Sequence, residues 1–428
     1  MFGIHAGYGE EIITSSLGAE LTGYGYYLER KAEEVADDLK VRAIYIRRER
    51  EAVILISCDL LSLSLEFTDN MRWELSIRYN LPICNILLAC IHTHAGPAAH
   101  DLPGLGEMDQ AYSARVGKAI IKASEAAQKD CRMAEISYIH EMVTPVGYNR
   151  KNGSFAPIDP ILKTSIFTRQ DGQKIYLVSY ACHPVVLGQA NTISADWPGA
   201  LIAEIERDGH RGIFLQGFCG DVNPVSRRRG MGGTAEDLQL YGEILYRHIK
   251  TAQRRAIAVR TPEIKAVEGR IRLPLAVPPY EEIVRQKENL PEYLKKVPLY
   301  DRFIDNWIER VKERYEEIRR EPFLPNVPIQ LVILGEVRIL GLPGEVFSAY
   351  SLKLSERFRL PLMTVGYSGG NIGYLPTADA YDNAADYACY QAPKFYGLFP
   401  FDRELETVLL EECDRIFACL DGGRNEQR

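Results

Sequence analysis

The chain has 428 residues, 46% of them apolar and 25% charged, which is the composition of an ordinary globular protein with room for a sizeable core. Its formal charge of −7 and pI near 5.8 exclude recognition of nucleic acid or anionic membrane by bulk electrostatics, so a substrate has to be recognised locally. The sequence shows no low-complexity tract, no repeat period and no transmembrane run; the closest, from Ala52 to Leu65, carries Ser57, Cys58 and Asp59 near its middle.

The N-terminus lacks a basic stretch followed by an apolar one, so no secretory signal is predicted. Nine cysteines without a Cys-x-x-Cys pair read as reduced, mostly buried thiols, and a soluble, cytoplasmic protein is expected. The length fits two or three domains or one large α/β domain with insertions, and residues 1–428 read as the second. Nothing in the sequence indicates an oligomeric state.

In chain order, Val41–Ile46 and Ala52–Ser57 flank the charged tip Arg47 to Glu51 as a hairpin, and the second strand ends at Asp59, a carboxylate at a sheet edge. Phe67 to Tyr79 has helical spacing and is followed by the short apolar strand Ile86–Cys90, which predicts a strand-helix-strand unit. That strand runs into Ile91-His92-Thr93-His94-Ala95-Gly96-Pro97. Alternation along a strand would put His92 and His94 on one face, a pair of imidazoles offered to a first-row metal, zinc most simply. The other reading of the pair is hydrogen-bonded histidines at a strand end.

An amphipathic helix is expected over Ala111–Ala127 and a strand over Ala134–Met142, followed by the polar loop that carries Asn149 and Arg150. The hairpin Thr164–Thr168 and Lys174–Ser179 leads into Tyr180-Ala181-Cys182-His183-Pro184, a second strand ending in a histidine. Ser194-Ala195-Asp196 reads as a capped start to the helix ending at Arg207, and Gly212–Phe218 as a strand before Gly220-Asp221-Val222-Asn223-Pro224. Arg227, Arg228 and Arg229 lie beside glycines but lack the spacing of a phosphate loop and read as an exposed loop. Thr234 caps a helix to Arg254.

Residues 278–322 form a charge-dense helical insertion whose stripe Phe303, Trp307, Val311, Tyr315 and Ile318 predicts core packing, with a mobile lid as the alternative. Strands return at Ile329–Leu334 and Val337–Leu342, and Gly344-Glu345 leads into a helix through Phe358, where Glu345 reads either as a routine carboxylate at a helix N-terminus or as a metal carboxylate mounted on a strand-to-helix turn. The glycine- and tyrosine-rich stretch Met363–Pro400 is irregular, a pattern common in functional segments, and a final helix spans Glu404–Leu420.

With these pieces in order, the chain resembles the neutral/alkaline, non-lysosomal ceramidase family, in its N-terminal catalytic domain. His92-Thr93-His94-Ala95-Gly96-Pro97 is similar to that family's His-Thr-His-Ser-Gly-Pro. Asn149-Arg150, Tyr180-Ala181-Cys182-His183-Pro184, Ser194-Ala195-Asp196, Gly220-Asp221-Val222-Asn223-Pro224 and Gly344-Glu345 match further motifs in sequence. Tyr374, Thr377, Tyr381 and Tyr387 resemble its tyrosine segment.

The resemblance implies stacked mixed β-sheets flanked by helices. It implies a zinc amidohydrolase that cleaves a linear N-acyl bond with metal-activated water, its Zn2+ held by His92, His183, Glu345 and Tyr374. His94, Arg150 and Tyr387 would be the catalytic groups, and Asp59, Asp196, Asp221 and Asn223 would lie in the surrounding layer or face the substrate. Asn223 stands where the family has a serine proposed as nucleophile, which favours direct attack by water. The substrate expected is a small-molecule amide, with N-acylated amines and lipids as candidates; the short C-terminal part and the absence of a signal count against membrane lipids and add a smaller, soluble amide to the candidates. The alternatives are a zinc hydrolase of a small ester or cyclic amide, and a non-catalytic binding protein on the same fold.

Overall fold

The computed structural model describes residues 3–144, 146–225, 232–261, 263–288, 290 and 294–421; the arginine cluster 227–229 lies outside them. Strands β1 (Ile4–Ile12), β2 (Lys40–Arg48), β3 (Glu51–Cys58), β4 (Ile86–Cys90), β5 (Arg132–Met142), β6 (Ile161–Arg169), β7 (Lys174–Tyr180) and β8 (Arg211–Gln216) build one mixed sheet. Its order is β8-β7-β6-β5-β1-β2-β3-β4, and the short pair Ile257–Ala258 adds to β5. The β3·β4 and β8·β7 pairs are parallel, as the strand-helix-strand pattern predicted for the first of them. A second sheet, β9 (Ile264–Pro274), β10 (Phe323–Leu334), β11 (Val337–Gly341) and β12 (Leu362–Val365), follows in that order.

The two sheets are stacked because both are apolar on the faces they share. Ile44, Ile46, Val53, Leu55, Leu87 and Ala89 of the first meet Val332, Leu334, Ile339 and Val365 of the second in one buried cluster. The alternate residues of the first sheet, such as Val41, Ile54, Ile56 and Leu88, bury helices α1 (Leu65–Tyr79), α2 (Gln110–Lys129), α3 (Asp196–Arg207) and α4 (Ala235–Ala252). The outer face of the second sheet, with Ile329, Leu331 and Leu340, lies beneath α5 (Tyr300–Lys312), α6 (Ser348–Phe358) and α7 (Leu405–Asp421). The result is four layers, helix, sheet, sheet and helix. This is the expected stacked mixed sheet flanked by helices.

Strand β1 carries no clear strand signal, because Gly7 and Gly9 interrupt its apolar pattern. Both glycines serve the packing of α2. A Cβ on Gly7 would stand 2.7 Å from Cys131 N and one on Gly9 2.5 Å from Ala127 N, so the helix lies flush on the strand only because no side chain intervenes.

The insertion holds α5 between the short helices Tyr280–Arg285 and Tyr315–Arg320. Its stripe is buried throughout, and Trp307, Val311, Tyr315 and Ile318 join the core of the second sheet. Truncating a buried tryptophan such as Trp307 typically costs about 3–5 kcal/mol, so this is core packing and not a loose cover. Phe303 and Tyr300 instead join Tyr26, Leu102, Leu105 and Phe395, which ties the insertion to two loops near the candidate site.

Two predicted helix starts differ. The helix expected at Gly344-Glu345 begins at Ser348, because Glu345–Val346 pair in parallel with Tyr374–Leu375 and Glu345 N donates to Gly373 O at 2.8 Å. The helix expected from Ala200 begins earlier, at Asp196, with Ala195 at the cap position; the Ser194 hydroxyl just before it donates to Asp37 and accepts from Asp196 N at 2.9 Å. All nine cysteines are free thiols. Among the described residues no helix is long and apolar enough to cross a membrane.

Candidate metal centre

Strands β3 and β4 run side by side and end together at Cys58 and Cys90. Beyond them His92 leaves the strand: its φ is +70°, and its backbone N–H donates to Leu60 O at 2.9 Å. The alternation expected to align His92 with His94 therefore does not apply, yet the turn brings their Nε2 atoms to 3.2 Å. His92 Nδ1 lies 2.9 Å from Leu61 O, and His183 Nδ1 lies 2.7 Å from Cys219 O. A carbonyl oxygen only accepts, so both Nδ1 atoms carry a proton, and a neutral ring presents its Nε2 lone pair to the site.

Those lone pairs converge on one carboxylate. Glu345 Oε2 lies 3.4 Å from His92 Nε2 and 3.4 Å from His183 Nε2. His183 Nε2 and Glu345 Oε2 are buried and have no hydrogen-bond partner among the described residues, a costly arrangement unless something else satisfies them. A tetrahedron with metal–ligand bonds of about 2.0–2.1 Å has edges of about 3.3–3.4 Å, so the spacing fits a shared cation. The ligand atoms of His92, His94 and His183 also lie within 4.8 Å of one another. The residues present fit a metal ion.

The parallel pair Glu345–Tyr374 sets a phenol beside this carboxylate. The Tyr374 hydroxyl accepts from Arg150 Nη2 at 2.7 Å, and the same nitrogen donates to Gly220 O at 2.8 Å. Burial pushes the Tyr374 hydroxyl up, and the Arg150 guanidinium opposes it. Burial also pushes Glu345 up, but the His92 and His183 rings outweigh it and hold the carboxyl well below its ordinary range. Burial lowers His183 to about 4, and His94 is driven well down by burial and by the neighbouring His92 and His183. A cation bound here would take the place of the ring protons that attract the Glu345 carboxylate, since it requires neutral imidazoles beside an ionised carboxylate.

The remaining candidates divide. Tyr387 stands with its ring 6.0 Å from that of Tyr374 and is 41% exposed, so it lies where the site opens. Asp221 accepts from Asn149 Nδ2 at 2.8 Å and from Ser348 N at 2.7 Å, and its carbonyl receives Arg150 N, which fixes the loop that aims Arg150. Asn223 pairs with Tyr148 in the strand register, and its Oδ1 has no partner among the described residues. Asp59 is committed to Arg42 at 2.5 Å and to Lys40 N, and Asp196 to the backbone of Val186, Leu187 and Trp197. Their hydrogen bonds hold the scaffold, and none reaches the proposed ligands.

Sequence reasoning did not single out four residues at the centre. Tyr367 stacks on His92 at 4.1 Å, Tyr24 meets His94 edge-on at 4.8 Å, and Tyr396 and Asn371 form a chain behind Glu345. Three of the four fall in the tyrosine- and glycine-rich stretch, whose composition was the available signal.

No protein-family model and no curated protein sequence matches the chain. Solved structures do. A neutral ceramidase from Pseudomonas aeruginosa superposes with a TM-score of 0.71 at 17% identity, over 95% of this chain and 73% of that one. A ceramidase complexed with C2 gives 0.73 at 16%, over 95% and 74%. At this identity the likeness is one of fold: the chain has the fold of the neutral ceramidase structures.

Proposed function

We propose that the chain is a zinc-dependent hydrolase of a linear N-acyl amide, with His92, His183, Glu345 and Tyr374 as the residues that would hold the metal. The observation that carries this reading is the convergence of two imidazole Nε2 atoms and one carboxylate oxygen at 3.4 Å spacing, with buried atoms left unpartnered. The ceramidase fold supports the amide as the bond cleaved, and the neighbours' names make N-acylated amines and lipids the first substrates to try. When bound, such a cation supplies Lewis acidity toward the acyl carbonyl and a nucleophile at neutral pH.

The protein groups divide the rest of the work. Arg150 and Tyr387 stand on the side of Tyr374 and present donors to an oxyanion developing on the carbonyl, where loss of one donor costs ~10²–10³ in rate. His94, held neutral by burial, is the group that would accept a proton from the attacking water and pass it to the departing amine. Asn223 excludes an acyl-enzyme through a serine at that position. The nine free thiols support a reducing, cytoplasmic site of action.

A second reading makes His94 a third imidazole ligand, favoured by its 3.2 Å approach to His92 and by the three-histidine convergence. An assay with N-acyl amines of graded chain length, beside small esters and cyclic amides, tests the function in the parent, His92→Ala and Glu345→Gln. The proposal requires amide turnover in the parent that both variants lose. Equal rates in variant and parent would remove the site, and turnover of esters alone would replace the amide assignment.

A further inference from the structure

Glu345 presents two oxygens, and they have different surroundings. Oε2 faces His92 and His183, while Oε1 lies 3.4 Å from the Tyr396 hydroxyl. That hydroxyl is itself held from behind: Asn371 Nδ2 lies 3.0 Å from it and can only donate. With its lone pair occupied by Asn371, the hydroxyl has its proton free for Glu345. Asn371 is fixed in turn, since its Oδ1 accepts from Gly373 N at 3.0 Å and its side chain is 2% exposed. The Tyr396 ring packs flat on the chain at Gly373, where an added Cβ would stand 3.0 Å from ring carbons.

We infer that Tyr396, aligned by Asn371, is a positioning residue for the metal carboxylate: it engages Oε1 and so presents Oε2 alone to the cation. This rests on the metal reading above. Outer partners of ligating carboxylates act in this way, and losing one typically weakens metal binding or activity by about 10–100-fold. The 3.4 Å contact is long for an O–H···O bond, and such contacts commonly tighten only in the complete site. Tyr396 also lines a cavity of about 610 Å³ with His100, Phe67 and Arg310.

The test is zinc affinity, measured by competition with a chromophoric chelator on the full chain made metal-free, for the parent, Tyr396→Phe and Glu345→Gln. Tyr396→Phe should raise the zinc dissociation constant about 10–100-fold while the metal-free protein melts where the parent does. A purely structural role would shift the melting temperature and leave zinc binding alone. Asn371→Asp provides an independent arm: it keeps the acceptor for Gly373 N but draws the Tyr396 proton to itself, and it should weaken zinc in the same direction. If Tyr396→Phe and Asn371→Asp bind zinc as tightly as the parent while Glu345→Gln does not, the positioning role is overturned and the metal centre stands. A parent that binds no zinc overturns both.

Discussion

Replacing Gly220 by alanine should damage the candidate centre more than any single change on the surface of the fold. Gly220 lies between two of its parts: its N–H donates to Val346 O at 2.8 Å, and its carbonyl receives Arg150. A Cβ at this position overlaps the Glu345 carbonyl oxygen and stands 2.8 Å from the carbonyl carbon and 3.1 Å from Val346 C. Both obstacles are backbone, so no rotamer change relieves them. Carbon atoms settle at about 3.5–4.0 Å, which asks for a displacement of roughly 0.7 Å or more. Metal sites tolerate about 0.2 Å, and misplacement near 1 Å can cost 10²-fold in function.

The expected result for Gly220→Ala is a stability loss of about 1–3 kcal/mol, as for overpacking, together with zinc affinity reduced about 10²-fold. Urea unfolding of the metal-free protein and chelator competition measure the two separately. Gly172→Ala is the control: it has a positive φ of 83° but open space around it, so it should lose only about 1–2 kcal/mol and no zinc affinity. A Gly220→Ala protein with parental stability and parental zinc binding would refute the placement of Glu345 against the 219–221 loop.

Gly23→Ala places a Cβ 2.6 Å from His94 Cγ at a φ of +109°, so amide turnover should fall ~10–100-fold with zinc retained; loss of zinc as well would favour His94 as a ligand. Asp59→Asn strands the buried Arg42 and should cost about 3–5 kcal/mol in urea unfolding without changing zinc affinity, and a change in affinity would return Asp59 to the site. Burial depresses Lys394 to about 7, so between pH 7 and its ordinary value of 10.5 the unfolded chain binds the extra proton and stability rises with pH. Lys394→Met should remove about 2–3 kcal/mol of the rise between pH 7 and 9, read from unfolding at each pH, and an unchanged slope would show that Lys394 is charged in the fold.

The sequence was most informative where one physical signal dominated. Alternating or continuous apolar runs marked β2, β3, β4, β6 and β7, and the parallel β3·β4 unit followed from their order. Strand β1 was hidden because its glycines are chosen for the helix above it, a tertiary reason with no local trace. The same holds for Glu345. Read locally, a glutamate after Pro-Gly starts a helix, whereas its backbone is captured by Gly373, about thirty residues away in sequence, and pairs it with Tyr374. Spacing offered the two neighbouring histidines, and chain position marked His183 at a strand end and Glu345 at a strand-to-helix turn; motif resemblance joined these to Tyr374 as one set. Tyr396 and Asn371 escaped both, since their significance lies in a hydrogen-bond chain that exists only once the tyrosine-rich segment is folded over Glu345.

The most direct measurement is X-ray absorption at the zinc edge on protein made metal-free and then returned to zinc. One zinc per chain, surrounded by four nitrogen and oxygen neighbours at about 2.0–2.1 Å with the scattering of two imidazoles, is the predicted result. Three imidazoles would move His94 into the ligand set. No stoichiometric zinc, or a sulfur neighbour at about 2.3 Å from one of the nearby cysteines, would contradict the proposed centre.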